Sequence, residues 1–425
     1  MINNSKLSNM VMKEILILGA GYGGLFTAAN LLTNDKLQNK LNITIIDKNP
    51  YHQLLQQIHL VAADIKQYDD IAISIKDLMK NEVKFVNKKI NSIDLEKKTV
   101  TTVEKDKRNA INTFEYRFDY VVIAIGSSNS FFNIEGAERY AYSFRSIKDA
   151  LIVKERLEKL DKDSNVIICG GGATGISLAG AITDKYKSYF NITILEAQHT
   201  ILPGWDPKLV SEIVQFLKDR EVRIVTNNPI KQVSSSFIIL KDDTKINTSL
   251  SIWTAGIKGG NLNIKPDIKM TKSDRIIVNK YSQIEGFDNS FVVGDISAFP
   301  IENDQLSPQL AQFAVRQARN VAKNILRIEG GKDPIVEFNY RQSGSILSLG
   351  KTCMGLINRV LIKGTLCEYV EDFLIDNYIT TLKKRGRGLS GLVYDQDTIG
   401  QISASLNFML NAASKIFSSH RNGSS

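Results

Sequence analysis

Short apolar runs without in-out alternation recur along this chain, and four of the five run into glycine. They are Glu14-Ile-Leu-Ile-Leu18, Tyr120-Val-Val-Ile-Ala-Ile-Gly126, Asn165-Val-Ile-Ile-Cys169, Ile252-Trp253 and Ser290-Phe-Val-Val-Gly294-Asp295. Continuous runs of this length read as strands buried on both faces, the mark of a parallel sheet covered by helices. Between them lie stretches of helical period, among them a charged one from Lys148 to Leu160 and another from Pro308 to about Leu326. Strand and helix therefore alternate, which predicts an α/β fold.

Two of the strands open into glycine loops, Gly19-Ala-Gly21-Tyr-Gly-Gly24 and Gly170-Gly-Gly172-Ala-Thr-Gly175. In such a loop the first glycine allows the tight turn, the second lets backbone N–H groups approach a pyrophosphate, and the third lets helix and strand pack closely. Each loop also has its acid. Asn42-Ile-Thr-Ile-Ile46 runs into Asp47 and Ile192-Thr-Ile-Leu195 into Glu196, at about the 20-residue spacing where a carboxylate meets the ribose hydroxyls of a bound dinucleotide. Two complete units predict two Rossmann-like dinucleotide sites. A carboxylate at Glu196 repels a 2′-phosphate, so the second nucleotide is expected to be NADH rather than NADPH.

The order of the strands predicts one nucleotide domain interrupted by another. We divide the chain into an N-terminal extension (1–12), the first part of one domain (13–145), an inserted domain (146–284), the return of the first domain (285–340) and a C-terminal region (341–425).

Composition narrows the chemistry. Three cysteines, Cys169, Cys353 and Cys367, make no disulfide framework and no close redox pair. Cys169, ending a strand, reads as a small buried residue. The chain shows no secretory leader, so a reducing cytoplasm is expected. Four histidines, His52, His59, His199 and His420, are scattered without metal-ligand spacing, and no metal is expected. His52 reads as a solvated loop residue, or as one near an adenine. No apolar stretch is long enough to span a bilayer. The net charge of +9 comes without a nucleic-acid motif, which leaves an anionic ligand or an anionic membrane surface.

These residues resemble the two-dinucleotide-binding flavoprotein reductases, and within them the type II NADH:quinone oxidoreductases. The resemblance rests on Gly19 to Gly24 with Asp47, Ala124-Ile-Gly126, Gly170 to Gly175 with Glu196, Trp253-Thr-Ala-Gly256, Gly294-Asp295 and Ala311-Gln312-Phe-Ala-Val-Arg-Gln317. It implies that the first unit binds FAD and the inserted unit NADH, that Asp295 lies near the ribityl-phosphate, and that Ala311 and Gln312 sit beside the flavin where quinone arrives. One position departs from the family. Ser177 stands on the helix after the second loop where a glutamate is usual, and Ala181 replaces a frequent second acid. Two other readings stay open: a flavoprotein that binds nucleotides with impaired turnover, and a sulfide:quinone oxidoreductase, in which Cys353 would be one flavin-side thiol.

Ser307-Pro308 reads as an N-cap followed by a proline at N1, so the next helix is expected to start there. Its positive end would stabilise charge on a reduced flavin by about 0.3 to 2 kcal/mol. In the C-terminal region, ten Lys or Arg face six Asp or Glu. Phe373, Leu374, Tyr378 and Leu382 form one amphipathic stripe, and Ile402, Leu406, Met409, Leu410, Ala413 and Phe417 another, around the basic cluster Lys383 to Arg387. With a quinone substrate, these stripes are expected to lie in an anionic membrane surface at the cytoplasmic face. Packing on the flavin domain or on a second copy in a homodimer is the other use of the same faces.

Overall fold

The computed structural model describes residues 12–384 apart from 34–39, 80–81, 107–108, 302–304, 332–334, 341–343 and 358. Residues 1–11, the stripe from Ile402 to Phe417, and Arg385 and Arg387 of the basic cluster lie outside the described residues.

The chain opens with β1 (Lys13–Leu18), α1 (Tyr22–Leu31), β2 (Leu41–Asp47), α2 (Ile58–Ala62), β3 (Lys84–Asn87) and β4 (Tyr120–Ile123). It continues through α3 (Ile147–Glu158), β5 (Asn165–Cys169), α4 (Ala173–Tyr186), β6 (Asn191–Leu195), α5 (Pro207–Lys218), β7 (Arg223–Val225) and β8 (Leu250–Trp253). Then follow β9 (Phe287–Val292), α6 (Ala311–Glu329), β10 (Gly344–Ser348), β11 (Cys353–Ile357), β12 (Val360–Lys363) and α7 (Thr365–Lys383).

These elements make two mainly parallel sheets, one inserted in the other. The first runs Gln283–Ile284, β9, β4, β1, β2, β3, with the edge strand Gln283–Ile284 antiparallel, so a strand from after the insertion pairs with one from before it. The second runs Tyr142–Ser143, β8, β5, β6, β7. Every residue from Ile15 to Leu18 and from Val166 to Cys169 is buried, as the unbroken apolar runs require of strands covered on both faces. The two crossings between the units lie side by side, Ser127–Asn129 pairing antiparallel with Ile257–Gly259.

Helix starts divide by use. α3 is capped by Ser146, whose hydroxyl accepts from Asp149 N at 3.1 Å, and α5 by Asp206, with Pro207 following it. Both solve the problem of unpaired N–H groups locally. By contrast, α1, α4 and α6 start after Gly21, Gly172 and Leu310 with no side-chain cap and no acid in the first turn. Their positive ends stay free for an outside acceptor.

Three expectations are corrected. First, α6 begins at Ala311, not at Pro308. The Ser307 hydroxyl is spent elsewhere: it donates to Ser297 O at 3.2 Å and accepts from Arg275 Nη2 at 2.7 Å, while Ser307 N pairs with Phe299 O at 2.8 Å. The segment is an extended strap. Second, Cys353 and Cys367 form a disulfide with Cα atoms 5.7 Å apart, tying β11 to the first turn of α7. Both are fully buried with Ile362 in a small apolar cluster. Cys169 is the free, buried cysteine that its strand position suggested. Third, the stripe on α7 does not share one face. Tyr378 and Leu382 are buried in the fold while Phe373 is exposed, because residues five apart in a helix diverge in direction.

A crosslink across a 14-residue separation stabilises by about 3 kcal/mol. Denatured without reductant, the protein is expected to titrate one thiol, Cys169. Three thiols would remove the crosslink.

Candidate dinucleotide and quinone site

At the carboxyl edge of each sheet the same device appears. Asp47 accepts from Ala20 N at 2.8 Å and from Asn49 N at 2.8 Å. Glu196 accepts from Gly171 N at 2.8 Å and from Gln198 N at 2.8 Å. In each unit a carboxylate from the second strand clamps the loop leaving the first and also the turn after itself. Burial raises the pKa of Asp47 against these backbone donors.

The glycines fit their assigned roles. Gly19 and Gly170 have φ of +108° and +124°, and a Cβ on either would run into backbone, at Ala124 and Ala255 respectively. On Gly24 or Gly175 a Cβ would strike the carbonyl of the first glycine in the same loop. Gly21 and Gly172 face open space, so room for a pyrophosphate lies above each helix start. By this test each cradle has room for the pyrophosphate of a dinucleotide.

Beside the first cradle, Asp295 follows Gly294, which has φ of +77°. Arg145 Nη2 reaches Asp295 Oδ2 at 2.7 Å, and Ser127 Oγ donates to the same oxygen at 2.6 Å. Arg145 Nε is buried with no partner, a donor left over for a bound group. Gln317, fully buried on α6, holds the turn: its Oε1 accepts from Gly294 N at 2.9 Å, and its Nε2 donates to Ser282 Oγ and Ser297 Oγ, each at 3.0 Å. The uncapped start of α6 thereby sits at a fixed place relative to Asp295. Ala311 is exposed there, and half-buried Gln312 donates from Nε2 to Gly344 O at 3.5 Å, reaching the C-terminal sheet. Ala124 and Gly126 lie on the crossing into the second unit, with Gly126 at φ of +74°.

Ser177 is buried on α4. One and two turns further along that face, a Cβ on Gly180 would meet the Leu349 backbone, and Asp184 Oδ2 accepts from Lys351 N at 2.6 Å. The turn joining β10 to β11 thus lies along the helix face that carries Ser177.

Sequence reasoning missed the residues that join the cradle to α7. His52 is buried rather than solvated. Its Nδ1 lies 3.1 Å from Ala20 O and its Nε2 3.2 Å from Tyr378 Oη. A carbonyl only accepts, so Nδ1 carries the proton and Nε2 accepts from the tyrosine. Tyr22 meets the imidazole edge-on at 4.8 Å, and Tyr378 lies 5.0 Å from Tyr22. Nothing local in Tyr51-His52 announces this contact, since its partner is 326 residues away.

A scan against family models matches the pyridine nucleotide-disulphide oxidoreductase family over residues 13–318. Among curated proteins, the type II NADH:quinone oxidoreductase of Staphylococcus aureus (strain bovine RF122 / ET3-1) is 32% identical over 364 residues, covering 80% of this chain and 88% of that protein. The chain belongs to this family, in its type II NADH:quinone oxidoreductase branch. Among solved structures, NDH2 from Plasmodium falciparum in complex with NADH shares the fold at a TM-score of 0.76 and 17% identity, covering 88% of this chain and 96% of that one. The sulfide:quinone oxidoreductase from Aquifex aeolicus does so at 0.75 and 19%, covering 88% and 92%. Both are fold likenesses. As in the flavoprotein family, FAD and NADH are the cofactor and the reductant.

Two predictions come from this geometry. Asp47→Ala should weaken FAD retention, and Glu196→Ala should weaken NADH binding with FAD content unchanged, each about 10- to 100-fold for a lost charged hydrogen-bond acceptor. Equilibrium dialysis of FAD and anaerobic NADH titration measure the two separately, and a swapped pattern would reverse the assignment. Burial holds His52 down to about 4 and His59 to about 3, from an ordinary value of 6.5. Above that value neither group adds pH dependence. As pH falls below it, the unfolded chain takes up protons the fold refuses, so stability declines toward pH 4. Denaturant midpoints should drop over that window, less steeply in His52→Gln.

Proposed function

We propose that the protein oxidises NADH and reduces a membrane quinone, with the first loop holding FAD and the second NADH. The observation that carries this reading is the pair of carboxylate-clamped glycine loops on two nested sheets. FAD, when bound, supplies the ring that accepts hydride and passes an electron pair on. The side chains have positioning work. Asp47 and Glu196 receive the ribose hydroxyls, Arg145 and Asp295 fix the middle of the flavin nucleotide, and the free N–H groups at Ala311 and Gln312 favour negative charge at the ring.

The cysteines do not favour sulfide chemistry. Cys353 and Cys367 are sealed in an apolar cluster, and burial pushes the Cys169 thiol up to about 12. Ser177, in the place of the usual glutamate, leaves NADH efficiency as the quantity to measure. In an anaerobic titration NADH is expected to bleach the flavin, quinone to restore it, and sulfide to do neither. Bleaching by sulfide alone would overturn the proposal.

We also propose contact with an anionic membrane at the cytoplasmic face. No described helix is long and apolar enough to cross a bilayer. On α7, however, Leu366, Tyr369 and Phe373 are 40%, 74% and 42% exposed, one stripe by their spacing of three and four. Exposed Lys363, Lys383 and Lys384 lie near its two ends. The helix itself carries Glu368, Glu371, Asp372 and Asp376, so the apolar stripe and the lysines at the ends, rather than a basic polar face, support the contact. Substituting all three apolar residues with Glu should abolish flotation with anionic vesicles while leaving reduction of a soluble quinone within about two-fold, since none touches the cradle. Loss of a dimer on gel filtration, with flotation intact, would assign the stripe to a second copy instead.

A further inference from the structure

Between the two units, Phe132 and Asn133 both adopt left-handed backbone, with φ of 51° and 55°. Residues with a Cβ avoid this region, and consecutive instances persist only where the surroundings enforce them. Here they are enforced. Ser130 N donates to Gly256 O at 2.9 Å, Trp253 Nε1 donates to Ser130 O at 2.9 Å, and Ile134 N closes a turn onto Phe131 O at 2.9 Å. The Phe131 ring packs inward, 5.4 Å from Trp253. The result is that Phe132 turns outward, 60% exposed, with the tip of its ring against Gly256, where any Cβ would overlap it. An apolar ring left 60% exposed by strained backbone gains little from burial.

Its location gives a reason. Gly256 lies just beyond β8, which pairs with β5 on the side opposite β6. Glu196, at the end of β6, marks the adenosine side of the dinucleotide, and the loop after β5 receives the pyrophosphate. The other half of the molecule therefore extends over the end of β8, and Gly170 already abuts Ala255 there.

We propose that the Phe132 ring is a stacking surface for the nicotinamide half of NADH. This rests on the reading of the second loop as the NADH site and names a residue that positions the reductant. A flat ring on a fixed stem orders a second flat ring at little entropic cost, because the strained turn has already fixed its direction.

The test uses the FAD-loaded protein and reads binding of NAD+ and NADH under anaerobic conditions. Phe132→Ala should raise the dissociation constant about ten-fold, the usual scale for losing one aromatic stacking partner. Phe132→Tyr should bind as the native protein does, and Phe132→Leu should bind like the alanine variant. FAD content and Tm serve as controls for folding, and the KM for quinone should not move. A space-filling role predicts instead that Leu binds close to native while Ala does not. If Leu binds as tightly as Phe, or Ala changes nothing, the stacking role is wrong. Native protein that holds FAD yet binds neither NAD+ nor NADH would instead overturn the reading of the second loop, and the role of Phe132 with it.

Discussion

Both nucleotide cradles depend on one interaction: a carboxylate at the end of the second strand accepting two backbone N–H groups. Asp47 does this for Ala20 and Asn49, and Glu196 for Gly171 and Gln198. Hydrogen bonds to an ionised acceptor are roughly twice as strong as neutral ones. Each clamp sets the direction of a loop whose glycines would otherwise leave it loose. The uncapped helix behind the loop then points its positive end at a defined volume. Had α1 or α4 carried the serine or aspartate cap seen on α3 and α5, that end would already be satisfied.

A second network ties the two parts of the first domain to each other and to the return helix. Asp295 belongs to the first domain after the insertion, while Arg145 and Ser127 precede it, and the three meet at one carboxylate oxygen. Gln317 performs the same service from α6, spending both ends of its amide on the turn that carries Gly294 and on two buried serines. Arg275 ties the strap before α6 to Ser297 O and Ser307 O, at 2.5 and 2.8 Å. Since buried polar groups are costly when unpaired, these partners hold the start of α6 in one place beside Asp295.

The C-terminal helix shows where periodicity misleads. Its apolar residues were legible, but the hydropathy of a stripe cannot say whether protein or lipid covers it. Tyr378 enters the fold because Phe26, Tyr22 and His52 offer it rings and a nitrogen acceptor. Leu366, Tyr369 and Phe373 face outward and stay largely exposed. The disulfide escaped notice for a similar reason: Cys353 and Cys367 sit at no recognised redox spacing, and only the packing of α7 on β11 brings them together.

The sequence by itself determined the two glycine loops, the acids that serve them and the nesting of one sheet in the other. Those features are local, written as apolar runs of strand length, glycines at fixed offsets and one carboxylate per unit. Tertiary structure decided everything that rests on partners far apart in the chain. It moved the start of α6, because Ser307 is claimed by Arg275. It buried His52 between a loop carbonyl and Tyr378, and it turned Phe132 outward above Gly256. Residue type and spacing specify which backbone geometries are open to a segment, and contacts between segments distant in the chain select among them.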